Sequence, residues 1–250
     1  MSYAHVNNPR AVLDLAALYF AQKRLPELDR LLIEFENELY GEKSAAIAGG
    51  DLLRQHEYHR TLGEMYALLG RWTDPIRSPT TALHQLERAV EVAEEIDALH
   101  RQQGKPPFEV EPAVKRLLGD AYAATGHADD AVRLRFEAAE MYARAQDLGS
   151  VRQVMATIPV SALESAAVRE RYAALVAPTV TFIGGAGAEW DAEVVKGCIV
   201  VLSTTKDVTL RNEATRKLEK LGLRLKLGPT NGTILSSKAK PVSFYLPTGG

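Results

Sequence analysis

Apolar residues recur at three- and four-residue spacing through most of the first 177 positions, and the residues around them are rich in Ala, Leu, Glu and Arg. These are good helix formers, and that spacing places the apolar set on one face of a helix. The pattern predicts helices around Leu15, Ala16 and Tyr19, around Leu28, Leu32 and Phe35, over 61–70, around Ala82, Leu86 and Ala89, over 117–126, around Ala131 and Ala138, and over 149–157 and 161–176. At Pro178 the pattern changes to β-branched runs, TVTFI and CIVVL, separated by glycine clusters. From there the expected elements are strands at 179–183 and 198–203, a helix at 209–221, a strand at 223–227 and strands near 233–236 and 242–246. The helix has Leu210, Ala214, Leu218 and Leu221 on one face, Thr209 to cap its start and Gly222 to end it. Leu223, Leu225 and Leu227 alternate with Arg224 and Lys226, the mark of a half-buried strand. Two domains follow from this reading: helices over 1–177 and a small α/β domain over 178–250.

The helical part repeats itself. TLGEMYALLG at 61–70 and LLGDAYAATG at 117–126 both read Leu-Gly-x-x-Tyr-Ala-x-x-x-Gly, through Leu62, Gly63, Tyr66, Gly70 and Leu118, Gly119, Tyr122, Gly126. A glycine inside a helix costs about 1 kcal/mol relative to alanine, so Gly63 and Gly119 are expected where a partner helix approaches closely. Tyr66 and Tyr122 fill the groove beside them, Gly70 and Gly126 end the first helix, and Ala89 and Ala138 receive the next one.

This pattern resembles the tetratricopeptide repeat (TPR), and the resemblance covers about 1–147 when a degenerate opening copy at Leu15, Ala16 and Tyr19 is included. It implies a right-handed superhelix of stacked helix pairs, with the helices after Leu148 capping the array. The tyrosines lie 47 and 56 residues apart, against a repeat period of about 34. The extra residues sit in the turn RWTDPIRSPTT, where two prolines exclude regular helix, and in the linker RQQGKPPFEVEP. In stacked pairs the first helices line the inner surface, which makes Arg60, Glu64, Arg116 and Asp120 the expected peptide-binding groove. The same four side chains equally suit a solvated face held by intramolecular Arg–carboxylate pairs. The lysine–asparagine pattern with which family members grip a C-terminal carboxylate is absent from these positions.

In the second domain, KGCIVVLSTTKDVTLRNEATRKLEKLGLRLKLGPTNGTILSSKA resembles the first half of a BRCT domain through Gly197, Ser203, Arg211, Glu213, Leu221, Gly222 and Thr233. The resemblance implies a phosphate seat at Ser203, Thr204 and the start of the 209–221 helix, and hence a phosphorylated partner. The later helix that supplies a phosphate-binding lysine in such domains has no counterpart in KPVSFYLPTGG.

Charge adds a further reading. The whole chain carries −2, but from Thr179 onward ten Lys/Arg face six Asp/Glu, a net of +4, which leaves −6 on the preceding residues. Lys206, Arg211, Lys217 and Lys226 are therefore candidate phosphate contacts for DNA or RNA, with no aromatic residue interleaved in the sequence for stacking on single strands.

Composition is that of a globular protein, 46% hydrophobic and 25% charged. A single cysteine, Cys198, excludes an internal disulfide framework and reads as a small buried hydrophobe. MSYAHVNNPR lacks the positive region and apolar core of a secretory signal, so a cytoplasmic protein that spans no membrane is expected. IGGAGAEWD at 183–191 lacks the third glycine of a dinucleotide fingerprint and reads as a glycine turn. His56 and His59 lie three apart rather than four, with no third ligand in view. No catalytic residues, metal or cofactor are expected, and the predicted function is that of a non-enzymatic adaptor with protein partners.

Overall fold

The computed structural model describes residues 8–40, 50–73, 81–183, 190–204, 206 and 208–247. The N-terminal stretch before Asn8, most of the proline-containing turn after Arg71 and the glycine turn at 184–189 lie outside the described residues. By compactness the chain divides into two units, Met1–Ala131 and Val132–Gly250.

The first unit is a TPR-like run of helices: α1 (Pro9–Ala21), α2 (Leu25–Tyr40), α3 (Leu52–Leu68), α4 (Ala82–Gln102) and α5 (Pro112–Ala124), with α6 (Ala128–Arg144) beginning at its end. Their starts are written in the sequence. Asn8, Asp51 and Thr81 each accept a hydrogen bond from a first-turn amide, and Pro9 and Pro112 stand at the first helical positions. Helix α1 packs on α2 and α3, and α3 packs on α4 and α5, so the first helices of successive pairs are neighbours. The core between them holds Leu28, Leu32, Leu62, Met65 and Leu86, with the rings of Phe35 and Tyr58 stacked at 4.6 Å. At Gly63 a methyl group would stand 2.7 Å from Leu86 Cγ, so a side chain there would force Leu86 or the close approach of α3 and α4 to give way. The signature glycines Gly70 and Gly126 carry φ of +68° and +84° at the ends of α3 and α5. In both turns the next amide reaches back five residues, from Arg71 to Tyr66 O and from His127 to Tyr122 O, each at 2.9 Å. The degenerate opening copy closes in the same way, with Arg24 N on Tyr19 O at 2.8 Å, but Lys23 stands at φ +59° where the other copies have glycine.

The second unit contains α7 (Leu148–Met155), a 3-10 turn (Val160–Glu164), α8 (Ala166–Val176), β1 (Thr181–Ile183), α9 (Ala192–Thr204), α10 (Val208–Lys220), β2 (Leu223–Leu227), β3 (Asn231–Ser236) and β4 (Val242–Tyr245). The strands form one antiparallel sheet in the order β1-β4-β3-β2, with Phe182 opposite Phe244, Ile234 opposite Val242, and Leu225 opposite Ile234. A side chain at Gly232 would strike the Phe244 ring and the Lys226 carbonyl, so glycine lets the ring lie across the sheet.

One expectation is corrected here. Residues 198–203 are helical, inside α9, and not a strand. The run CIVVL is β-branched, but Asp191 Oδ1 accepts from Glu193 N and Val194 N at 3.0 and 3.2 Å and starts a helix ahead of it. Val195, Cys198 and Ile199 then face the core at helical spacing. Periodicity alone does not separate a short apolar strand from a buried helix, and burial outweighs β propensity. The BRCT resemblance fails with it, because the apolar strand that opens that pattern does not exist. The composition changes at Pro178, while compactness divides the chain after Ala131. Val151, Val154, Met155 and Val176, from α7 and α8, share one core with Ile199, Leu218, Ile234 and Phe244. No helix among the described residues is long and apolar enough to cross a membrane.

A charged face on the first helices

The groove residues expected from the repeat pattern divide into two i,i+4 pairs, Arg60 with Glu64 on α3 and Arg116 with Asp120 on α5. Both pairs are intramolecular. Arg60 Nε is 3.7 Å from Glu64 Oε1, too long for a hydrogen bond, and Arg116 Nη1 is 3.8 Å from Asp120 Oδ2. Arg60 makes its short contact elsewhere, donating from Nη1 to Glu111 Oε1 at 2.8 Å, while its buried Nε has no hydrogen-bond partner. The face is partly open, with Arg60 21% and Arg116 39% exposed at the side chain.

Three residues outside the predicted set hold it in place. Glu111 stands at the N-cap of α5, directly before Pro112. Its second oxygen lies 3.0 Å from His56 Nε2, and His56 Nδ1 lies 2.8 Å from Ala89 O. Both partners of the ring are acceptors, a backbone carbonyl and a carboxylate. Phe108 meets the rings of His56 and His100 edge-on at 5.4 and 6.1 Å, and its amide donates to Asp97 Oδ1 at 3.0 Å. The linker from Gly104 to Glu111 is thus anchored to α3 and α4. Two signals for this were present in the sequence: an acid just before a helix-starting proline, and a histidine one turn ahead of Arg60 on the same face.

The electrostatics follow from burial and partners. Burial pushes the Glu111 carboxyl up, but the His56 hydrogen bond, a backbone hydrogen bond and the charges of His56 and Arg60 outweigh it and hold it at about 2. Burial raises Glu64; Arg60 and Arg116 pull it down and Glu111 pushes it up, leaving it above the usual carboxylate range. Burial lowers His59, whose Nδ1 contacts Gln85 Oε1 at 2.7 Å. Among the described residues no group of three or more His, Cys, Asp or Glu is placed to hold a metal.

In the second unit the predicted phosphate residues are brought together only in part, with Arg211 beside the end of α9 that carries Ser203 and Thr204. Ser203 and Thr204 lie in the last turn of α9, with Ser203 Oγ 3.2 Å from Val200 O, rather than in a loop ahead of a helix. Arg211 Nη1 donates to Leu202 O at 2.6 Å, and Lys217 pairs with Glu213 at 3.6 Å on α10. Lys206 is exposed in the connection between α9 and α10, and Lys226 is exposed on β2. The sheet register adds what the linear sequence hid: Tyr245 shares the face of the sheet opposite Phe244 with Arg224 and Lys226, and all three are exposed.

No protein-family model matches the chain, and no curated protein matches it. Among solved structures, a Podosopora anserina chain described as a kinesin light chain with nearly identical TPR-like repeats is 19% identical to it. The alignment covers 87% of this chain and 95% of the other, with a TM-score of 0.38.

Proposed function

We propose that the chain is a non-enzymatic adaptor that captures a protein segment on the charged face of α3 and α5 and engages a second partner through its C-terminal unit. The observation that carries this reading is the pairing of Arg60–Glu64 with Arg116–Asp120 on neighbouring first helices, each side chain only partly buried. The two i,i+4 contacts are long and partly exposed and contribute only about 0–1 kcal/mol each, so Glu64, Arg116 and Asp120 can turn to a peptide at little cost while Arg60 keeps its short contact to Glu111. The mixed signs suit an extended segment of alternating charge. Affinity capture from lysate with the wild-type chain and with the double variant Arg60→Glu and Arg116→Glu tests it. Proteins held by the first and lost by the second support the reading; identical sets from both sink it.

A second reading rests on the sheet. Tyr245, Arg224 and Lys226 on one exposed face combine a stacking ring with two cations, the elements of single-strand nucleic-acid binding. A mobility shift of the full chain with short DNA and RNA at low and moderate salt checks it. Salt-sensitive binding lost in Tyr245→Ala puts this reading ahead, and no shift at low salt removes it.

A further inference from the structure

Within the second unit, α8, α9 and α10 line a half-open cleft of about 560 Å3, within the size range of small-molecule sites. Its walls are mainly apolar and include Ile158, Leu163, Val194, Val201 and Leu210. Most charged groups of the lining are engaged within the protein. Lys217 lies 3.6 Å from Glu213, Glu193 lies 3.4 Å from Lys196, Arg169 donates to Leu163 O at 3.2 Å, and Asp191 caps α9. The Tyr172 hydroxyl is different. Its ring packs on the core of the unit and against Gly197 of α9, where a methyl group would stand 3.4 Å from Cε1 and 4.0 Å from the hydroxyl. The hydroxyl therefore sits between α8 and α9, beside a glycine that lines the cleft with it. Among the described residues it has no hydrogen-bond partner, whereas the phenols of Tyr66 and Tyr122 each donate to a carboxylate. The described side-chain polar atoms that are both covered and unpartnered are Arg60 Nε, Thr61 Oγ1, Arg152 Nη1 and Glu193 Oε2. The Tyr172 hydroxyl is not one of them, so it reaches open space. Burial pushes this phenol up, which keeps its proton in place for donation at neutral pH. Burial also pushes the Cys198 thiol, in the same wall, up to about 11, so no thiolate forms there and the chemistry on offer is binding.

We propose that this cleft binds a small, neutral, apolar molecule with one carbonyl oxygen, which accepts a hydrogen bond from the Tyr172 hydroxyl. The walls call for an apolar body, and the phenol is the only hydroxyl among the described lining residues. A plain hydrocarbon would shut water away from that hydroxyl without replacing its hydrogen bond. A carboxylate would add its charge to a lining with four acids, Glu170, Asp191, Glu193 and Glu213, against two bases, Arg169 and Lys217. An ammonium would meet those acids only at the exposed rim, where an ion pair contributes little, and would offer the phenol no acceptor. A carbonyl on an apolar body alone meets both the walls and the donor. This inference is independent of the function proposed for α3 and α5.

The test measures binding of matched probes to the full chain by equilibrium dialysis: 2-acetylnaphthalene, 2-ethylnaphthalene, 2-naphthoate and 2-naphthylmethylammonium. The ketone is expected to bind best, about threefold to tenfold tighter than the hydrocarbon, the gain of one neutral hydrogen bond, with naphthoate weakest. Tyr172→Phe is expected to abolish the ketone's advantage and leave hydrocarbon binding unchanged. That variant removes no hydrogen bond among the described residues, so the fold is kept. Val194→Asp, at an exposed position of α9 in the cleft wall, is expected to weaken ketone and hydrocarbon together. Circular dichroism confirms that both variants are folded. Equal affinity for ketone and hydrocarbon, a ketone preference that survives Tyr172→Phe, and ketone binding unmoved by Val194→Asp each overturn the proposal. Tighter binding of either ion, or no binding of the ketone at about 1 mM, does the same.

Discussion

The phenol of Tyr122, on α5, donates to Glu87 Oε1 on α4 at 2.7 Å. Tyr66 repeats the relationship one copy earlier, donating to Glu36 on α2 at the same distance. Each signature tyrosine therefore ties its own first helix to the second helix of the preceding pair, which gives a polar reason for tyrosine over phenylalanine at that place. A hydrogen bond to a charged group contributes about 1.5–3 kcal/mol when fully buried, and these are only partly buried. Tyr122→Phe and Tyr66→Phe are each expected to lower stability by about 1 kcal/mol in urea unfolding, with the apolar contacts of the ring kept. Unchanged midpoints in both would assign the positions to packing alone.

The glycines of the repeat do two different things, and substitution separates them. Gly63 lies in mid-helix, where alanine is intrinsically favoured by about 1 kcal/mol, but its methyl would meet Leu86 at 2.7 Å. Overpacking of this kind costs about 1–3 kcal/mol, so Gly63→Ala is expected to be destabilising. Gly70 has open space around it and a φ of +68°, so Gly70→Ala pays only the left-handed penalty, about 1 kcal/mol. The converse holds at Lys23 and Gln146, at φ +59° and +58°, where substitution by glycine is expected to stabilise by about 0.5–1 kcal/mol. Thermal melts of the four variants give the signs directly.

What the sequence revealed follows from how local each signal is. The Leu-Gly-x-x-Tyr pattern and the glycine stops describe contacts within one helical pair, and the structure places Leu62, Gly63, Tyr66 and Leu86 together as that pattern requires. The helix at 209–221 and the strand at 223–227 were legible for the same reason: alternation and caps act within a few residues. The apolar run at 198–203 was not, because whether it forms strand or helix depends on packing against other helices, of which α7 and α8 come from distant sequence. The anchoring of the charged face was hidden likewise, since His56 and Glu111 are 55 residues apart. Tyr245 joins Arg224 and Lys226 only through the register of the sheet.

Acid stability follows from two of these groups. Glu111 is held at about 2 in the folded chain, below the ordinary value of 4.5. Its contribution is therefore present above 4.5 and is lost as pH falls from there toward 2. His59 is lowered from 6.5 by burial, so the unfolded chain takes up a proton there first, and stability falls as pH drops below 6.5. The unfolding midpoint is expected to decline in two stages on acidification. Glu111→Gln is expected to flatten the stage below 4.5 and leave the His59 stage in place, which urea titrations between pH 7 and pH 3 will read.

A fragment starting at Pro178 tests where the C-terminal core is complete. It would keep α9, α10 and the sheet but lose Val151, Val154, Met155 and Val176, which share one buried cluster with Ile199, Leu218 and Phe244. Exposing the far side of such a core removes about 1.5–3 kcal/mol for each large side chain uncovered, more than the whole stability of a small domain once several are counted. The fragment from Pro178 is expected to lack a cooperative urea transition and fixed near-ultraviolet dichroism, while one from Gly126 to the C-terminus retains α6, α7 and α8 and unfolds in a single step. A cooperative transition in the shorter fragment would mean that α9, α10 and the sheet suffice for folding, with α7 and α8 packed on afterwards.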